Sequence, residues 1–300
     1  MMLERVLIPL DGSPLAERAL VLGGRLLRGA GTEVILVRVV EPPALVPRHY
    51  TGLDPRKVSE AGTYLREEAG RLGASGLRVR TLVTEGLAPE QILEVAAREN
   101  VTLIALTSHG RTGFERWALG SVAERIVRMS STPVLVLRSF GAGSEAAPAF
   151  RKLIVPVDGG AGSWSALEPA AAVAGACGSS IVLVHVESRL DFPAGTYAAR
   201  LVDAPATAPT GPVPEEAGRR LDYAGSLLAS RGLTVTTLRV GGDPASRLVD
   251  LPKELEADLI VMATHGRTGL PRFVLGSVTE KVLRHSDRSM LIVPPGNAGA

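Results

Sequence analysis

The chain contains one long segment twice. Residues 108–122 read SHGRTGFERWALGSV and residues 264–278 read THGRTGLPRFVLGSV. Each copy carries His-Gly-Arg-Thr-Gly, and six residues later Leu-Gly-Ser-Val follows. Each copy also follows an apolar run, Leu103–Thr107 in the first and Leu259–Ala263 in the second. A repeat of this size implies two homologous domains and constrains every other assignment. It places a glycine-rich turn and a Gly-Ser helix start at the same point of each half. Turns and helix starts of this kind present backbone N–H groups, the usual material of a phosphate cradle.

A chain of 300 residues suits two domains of ordinary size, here 1–140 and 150–296 joined by a small-residue linker at 141–149. Lys and Arg number 33 against 31 Asp and Glu, a formal charge of +2, which argues against a strongly electrostatic partner such as duplex nucleic acid. Aromatic residues make up 4%, too few for the stacking platforms that bind single strands. Cys177 is the only cysteine, so neither an intrachain disulfide nor a cysteine metal cluster can form. The opening MMLERVLIPLDGS reads as a strand and turn, and no apolar run is long enough to span a bilayer. The expectation is a soluble cytoplasmic protein with no membrane partner.

Strand and helix patterns alternate throughout. An apolar run at 5–10 ends in Asp11-Gly12-Ser13-Pro14, where Ser13 suits a helix cap and Pro14 the first helical position. Helices are predicted at 14–28, 55–72, 88–98 and 121–129, and strands at 34–40, 78–84, 103–107 and 133–137. The second half repeats this order, with strands at 153–157, 181–186, 234–240, 259–263 and 290–293. Its helices are predicted near 164–177, 215–229, 244–255 and 277–285. Strands alternating with helices imply parallel βαβ units, and nearly all-apolar strands imply a sheet covered on both faces. Asp11 and Asp158 stand 147 residues apart and Gly110 and Gly266 stand 156 apart, so the second half holds nine extra residues, placed in a loop at 188–214.

In an open parallel sheet, ligands bind beyond the carboxyl ends of the strands, where the strand order reverses. Asp11 and Asp158 end the first strand of each half, Val39 and Val186 the second, and the glycine-rich segment follows the fourth. Gly110 and Gly266 can take positive φ and expose their N–H groups. Gly120-Ser121 and Gly276-Ser277 open the next helix, whose free amides and dipole favour an anion. The Asp carboxylate suits a ribose hydroxyl or an adenine amino group. Taken singly, each piece has a plain structural reading: a cap for Gly-Ser, an Asx-turn for Asp. Their recurrence at matched spacing carries the functional reading.

Both halves resemble the universal stress protein family. Its ATP-binding members carry Gly, two residues, Gly, nine residues, then Gly followed by Ser or Thr. Gly110 with Gly120-Ser121 and Gly266 with Gly276-Ser277 match the later part, while Thr107 and Ala263 stand at the first Gly. The openings VLIPLDGS and LIVPVDGG, and the runs ILVRVVE and IVLVHVES, look like the family's first two strands. The resemblance implies two doubly wound, Rossmann-like α/β domains, each a five-stranded parallel sheet of order 3-2-1-4-5 flanked by helices. It implies a tandem, ATP-binding type of stress-response protein, with or without magnesium. The adenosine side would be lined by Pro9, Asp11 and Val39 in one half and Pro156, Asp158 and Val186 in the other. Gly110, Gly120, Ser121 and Val122, and Gly266, Gly276, Ser277 and Val278, would hold ribose and phosphates beside Thr107 and Ala263. It also implies pairing through the fifth strands, within the chain or as a homodimer.

No G-x-x-x-x-G-K-[ST] occurs, which argues against a P-loop NTPase, and Gly160-Ala161-Gly162 is only a near miss for a dinucleotide fingerprint. His109 and His265 are phosphate contacts or loop histidines bonded to nearby backbone, and Arg111 and Arg267 are phosphate contacts or solvated charges. Trp117 and Phe273 are packing residues, and His185 is a packed or interdomain histidine. No nucleophile–base pair is visible, so no catalytic residue is assigned. The alternatives are a slow nucleotide hydrolase on the same scaffold and an interaction module without nucleotide.

Overall fold

A computed structural model describes residues 2–27, 31–42, 54–74, 76–108, 119–138, 150–187, 215–264 and 275–295. The chain divides into two compact units, Met1–Ala149 and Phe150–Ala300. The first comprises β1 (Arg5–Pro9), α1 (Pro14–Leu26), β2 (Glu33–Val40), α2 (Pro55–Gly73), β3 (Arg78–Glu85), α3 (Ala88–Arg98), β4 (Leu103–Thr107), α4 (Ser121–Met129) and β5 (Val134–Leu137). The second comprises β6 (Lys152–Pro156), a 3-10 helix (Ala161–Ala166), α5 (Leu167–Cys177), β7 (Ser180–Glu187), α6 (Glu215–Ala229), β8 (Thr234–Gly241), α7 (Pro244–Glu254), β9 (Leu259–Ala263), α8 (Ser277–His285) and β10 (Ser289–Val293).

All pairings within each unit are parallel. β1 lies between β2 and β4, β3 pairs outside β2, and β5 pairs outside β4. The order is therefore 3-2-1-4-5, and the second unit repeats it as β8-β7-β6-β9-β10. The chain steps outward through β1, β2 and β3, then crosses back to β4 and β5. Right-handed crossovers put α1 and α2 on one face and α3 and α4 on the other. Both faces are thus covered, and the middles of the central strands are apolar: Val6, Leu7, Ile8, Val34–Val37, Ile104 and Ala105 are all buried.

The outer strands differ from the rest. β3 alternates exposed Arg78 and Arg80 with half-buried apolar residues, and β8 does the same with exposed Thr234 and Thr236. Arg80 pairs with Glu33 at 3.3 Å and Glu99 at 3.2 Å, and Arg5 reaches Glu33 at 2.8 Å.

Helix starts follow the expected chemistry with one exception. The Ala16 amide donates to Ser13 Oγ at 3.1 Å, so Ser13 caps α1. Asp54 caps α2, its carboxylate accepting from the Arg56 amide at 3.0 Å. The exception is the helix predicted near 164–177. It opens as a 3-10 helix and becomes α-helical only at Leu167. The start lacks a proline at its first position, and the Ser163 hydroxyl donates to the Gly160 carbonyl at 2.8 Å, tightening the turn. The 141–149 linker and the 188–214 loop lie outside the described residues.

Candidate functional site

The reversal of strand order falls between β1 and β4, and between β6 and β9. The β1–β2 register pairs Pro9 with Val37, so extending it two residues sets Asp11 level with Val39. The β1–β4 register pairs Leu7 with Ile104, so Thr107 stands level with Leu10. Pro9, Asp11, Val39 and Thr107 therefore share one end of three adjacent strands. In the second unit, Pro156 pairs with Val184 and Ile154 with Ile260, which sets Pro156, Asp158, Val186 and Ala263 together in the same way.

The fourth-strand end is tied to the next helix. Gly120 donates its N–H to the Ser108 carbonyl at 2.7 Å, and Gly276 donates to the Thr264 carbonyl at 2.8 Å. The first intrahelical bonds follow, Glu124 N–H to Gly120 and Glu280 N–H to Gly276, at 2.9 and 2.8 Å. Glycine at the cap position brings no side chain to either start, and none of the described side chains caps it. The amides of Ser121, Val122 and Ala123, and of Ser277, Val278 and Thr279, precede those bonds and point out of the helix. Ser121, Val122 and Ser277 are exposed. Each start can stabilise an anion by about 0.3–1 kcal/mol through the dipole, and more where partly buried.

Asp11 and Asp158 are half-buried and play their turn role as well. Asp11 Oδ1 accepts the Ser13 amide and Asp158 Oδ1 accepts the Gly160 amide, both at 2.9 Å. Between them Gly12 holds φ +78° and Gly159 holds φ +82°, a conformation that side chains resist.

Thr107 and Ala263, at the motif's missing first glycine, are strand residues. Thr107 pairs in register with Leu137 and Ala263 with Val293. Neither has positive φ. The position requires no left-handed residue, so a Cβ there costs no backbone strain. The two units differ at this point: Thr107 is half-buried, while Ala263 is buried and its carbonyl accepts the Thr279 hydroxyl at 3.0 Å.

Gly110, Gly266, His109, His265, Arg111, Arg267, Trp117 and Phe273 lie outside the described residues. His185 is buried and packed, with Nδ1 2.8 Å from the Val157 carbonyl. Sequence reasoning passed over Arg38, Tyr64 and Glu17, which adjoin the first site. The signal was the repeat offset, since 147 residues also separate Arg38 from His185. Among the described residues, no three His, Cys, Asp or Glu side chains converge as a metal site, and no helix is long and apolar enough to cross a membrane.

The model of the universal stress protein family matches residues 2–138 and again 149–294. Universal stress protein Rv1996 of Mycobacterium tuberculosis is 25% identical over 317 residues, covering 96% of this chain and 94% of its own. Universal stress protein MJ0531 of Methanocaldococcus jannaschii is 29% identical over 139 residues, covering 45% of this chain and 82% of its own. A crystal structure of a universal stress protein from Archaeoglobus fulgidus superposes over 99% of this chain and 100% of its own, with a TM-score of 0.75 at 21% identity. Two matches of one family model, each covering one unit, make this chain a member of the universal stress protein family with two such domains in tandem.

Proposed function

We propose that this protein binds an adenine nucleotide, ATP first among them, at the carboxyl end of each sheet, and acts as a cytoplasmic stress-response regulator. One observation carries the reading. Directly beyond the strand reversal, each unit presents a helix start with glycine at its cap, tied by that glycine's N–H to the residue after the fourth strand, with an Asp-bearing turn level with it. The helix amides suit the phosphates, and the carboxylates of Asp11 and Asp158 suit a ribose hydroxyl or the adenine amino group. Pro9, Val39, Pro156 and Val186 supply apolar contact for the base. Magnesium, where it accompanies a triphosphate, would be held by the phosphates and water.

Hydrolysis is slow or absent on this reading. The groups assigned to the phosphate side are backbone amides and the Ser121 and Ser277 hydroxyls, and among the described residues none is paired with a base that could activate water. Calorimetric titration of the full chain with ATP, together with native mass spectrometry of the freshly purified protein, tests the proposal. Saturable binding or co-purified nucleotide supports it. A folded chain that arrives empty and takes up no ATP at millimolar concentration is the signature of an interaction module, and the nucleotide reading would then be abandoned.

A further inference from the structure

Arg38 and His185 occupy one place in the two units, a residue before Val39 and Val186. In the first unit the Arg38 guanidinium lies over the Tyr64 ring of α2, 4.8 Å from its centroid. It also packs on the bare Cα of Gly12, where an added Cβ would stand 2.8 Å from Nη1 and 3.2 Å from Nη2. Gly12 lies inside the turn that Asp11 closes on the Ser13 amide. The Tyr64 hydroxyl donates to Glu17 Oε1 of α1 at 3.1 Å, and the Glu17 amide donates to the Ser13 carbonyl at 3.2 Å. Burial, followed by the Glu17 carboxylate, raises the Tyr64 phenol, which keeps it a donor. Arg38 thus joins β2, α2 and the β1–α1 turn.

The second unit reaches the same end by other chemistry. His185 is buried, and its Nδ1 donates to the carbonyl of Val157, the residue before Asp158. A carbonyl only accepts, so the proton sits on Nδ1. Asp158 closes its turn on the Gly160 amide around Gly159, as Asp11 does around Gly12.

We propose that Arg38 and His185 are positioning residues that clamp the Asp11 and Asp158 turns, by an aromatic stack in one unit and an imidazole–carbonyl bond in the other. The ligand in this inference rests on the nucleotide reading above, whereas the clamp itself is measurable without ligand. The clamped turns serve the adenosine end, while the phosphates belong to α4 and α8. Loss of a clamp therefore weakens adenosine and ATP by the same factor and leaves the binding of tripolyphosphate alone unchanged.

Hydrogen–deuterium exchange of the full chain without ligand gives the first test, read in peptides over 10–16 and 157–163. Arg38→Ala is expected to speed exchange about fivefold in the first peptide, the loss of one cation–aromatic contact, and to leave the second unchanged. His185→Ala does the reverse. Arg38→Lys keeps the charge without the planar stack and is expected to speed exchange too, so it serves should the alanine variant not fold. Arg38→His, which copies the second unit, restores protection. Titration of the Arg38→Ala/His185→Ala double variant with ATP, adenosine and tripolyphosphate gives the second test. Exchange that stays at the wild-type rate in folded Arg38→Ala and Arg38→Lys overturns the clamp. A loss of tripolyphosphate affinity equal to that of ATP overturns the positioning role. A wild-type chain that binds no ATP, yet whose turns respond as described, would remove the nucleotide reading and leave the clamp standing.

Discussion

Gly120 and Gly276 hold φ near −60° with ψ of 148° and 144°, a conformation open to every L-residue. Valine at both positions therefore leaves the backbone unstrained and sets a branched Cβ where a phosphate must approach the helix amides. The Gly120→Val/Gly276→Val chain is expected to keep its circular dichroism and melting temperature and to lose ATP binding in calorimetry; undiminished affinity would show that the phosphates lie elsewhere. Glu68 makes a separate case in the α2 interior. It is buried beside Arg71, whose Nη1 lies 2.5 Å away. Burial pushes its carboxyl above the ordinary value, with Arg71 opposing. The folded state then holds this proton more tightly than the unfolded chain. Stability falls as pH rises from the unfolded carboxyl value through the raised folded one. Glu68→Gln lacks that slope, so its stability relative to wild type is expected to climb across the same window in thermal melts. At this scale the sequence singles out the candidate residues of each unit because the same residue types recur at matched spacing. Arg38 is less legible because its counterpart at the same repeat offset, His185, is a different residue type, so the repeat keeps the place and not the chemistry.

Element boundaries were legible wherever local chemistry sets them. α3, α4, α6, α8, β4 and β9 run over the predicted residues, and most other ends fall within one residue of the prediction. Pro and Ser mark α1, and Gly-Ser marks α4 and α8. The start of α5 was not legible, because Gly160-Ala161-Gly162 fixes no backbone angles and the outcome depends on the Ser163 hydroxyl. Caps at equivalent helices have also diverged. α7 is capped by its own Asp243, whose carboxylate accepts the Ser246 amide at 2.9 Å and hydroxyl at 2.7 Å. α3 has Leu87 at that place and instead takes a carboxylate from Glu41, which accepts the Ala88 amide at 3.1 Å. Asp243→Ala is expected to cost about 1 kcal/mol of stability at neutral pH. The Ser246 hydroxyl bond holds the Asp243 carboxyl below its ordinary value. The cap's contribution is complete above the unfolded carboxyl pKa and disappears as pH falls through the lowered folded one. Urea titrations of the two chains should therefore converge only in strong acid, and a gap that closed already near neutrality would contradict the cap.

At the scale of the molecule, the repeat and the alternation of strand and helix were enough to give the fold of each unit, because a parallel sheet covered on both faces leaves few topologies open. Within its own unit, β5 lies at the edge of the sheet with the sequence Val-Leu-Val-Leu, and an apolar edge strand invites a partner. We propose that a half expressed alone turns to a second copy through its fifth strand. The fragment 1–145 is expected to run as a homodimer in light scattering at micromolar concentration; a stable monomer there would refute the pairing.

The opposite edge sets how far such assembly can go. β3 carries Arg78 and Arg80 outward, and β8 carries Thr234 and Thr236. A strand arriving at β3 would have to strip water from two guanidinium groups already engaged with backbone or carboxylates. We propose that the first half has a combining valence of one, adhesive along β5 and inert along β3, where the two guanidinium groups stand. A building block of valence one ends in a pair and cannot propagate a fibre.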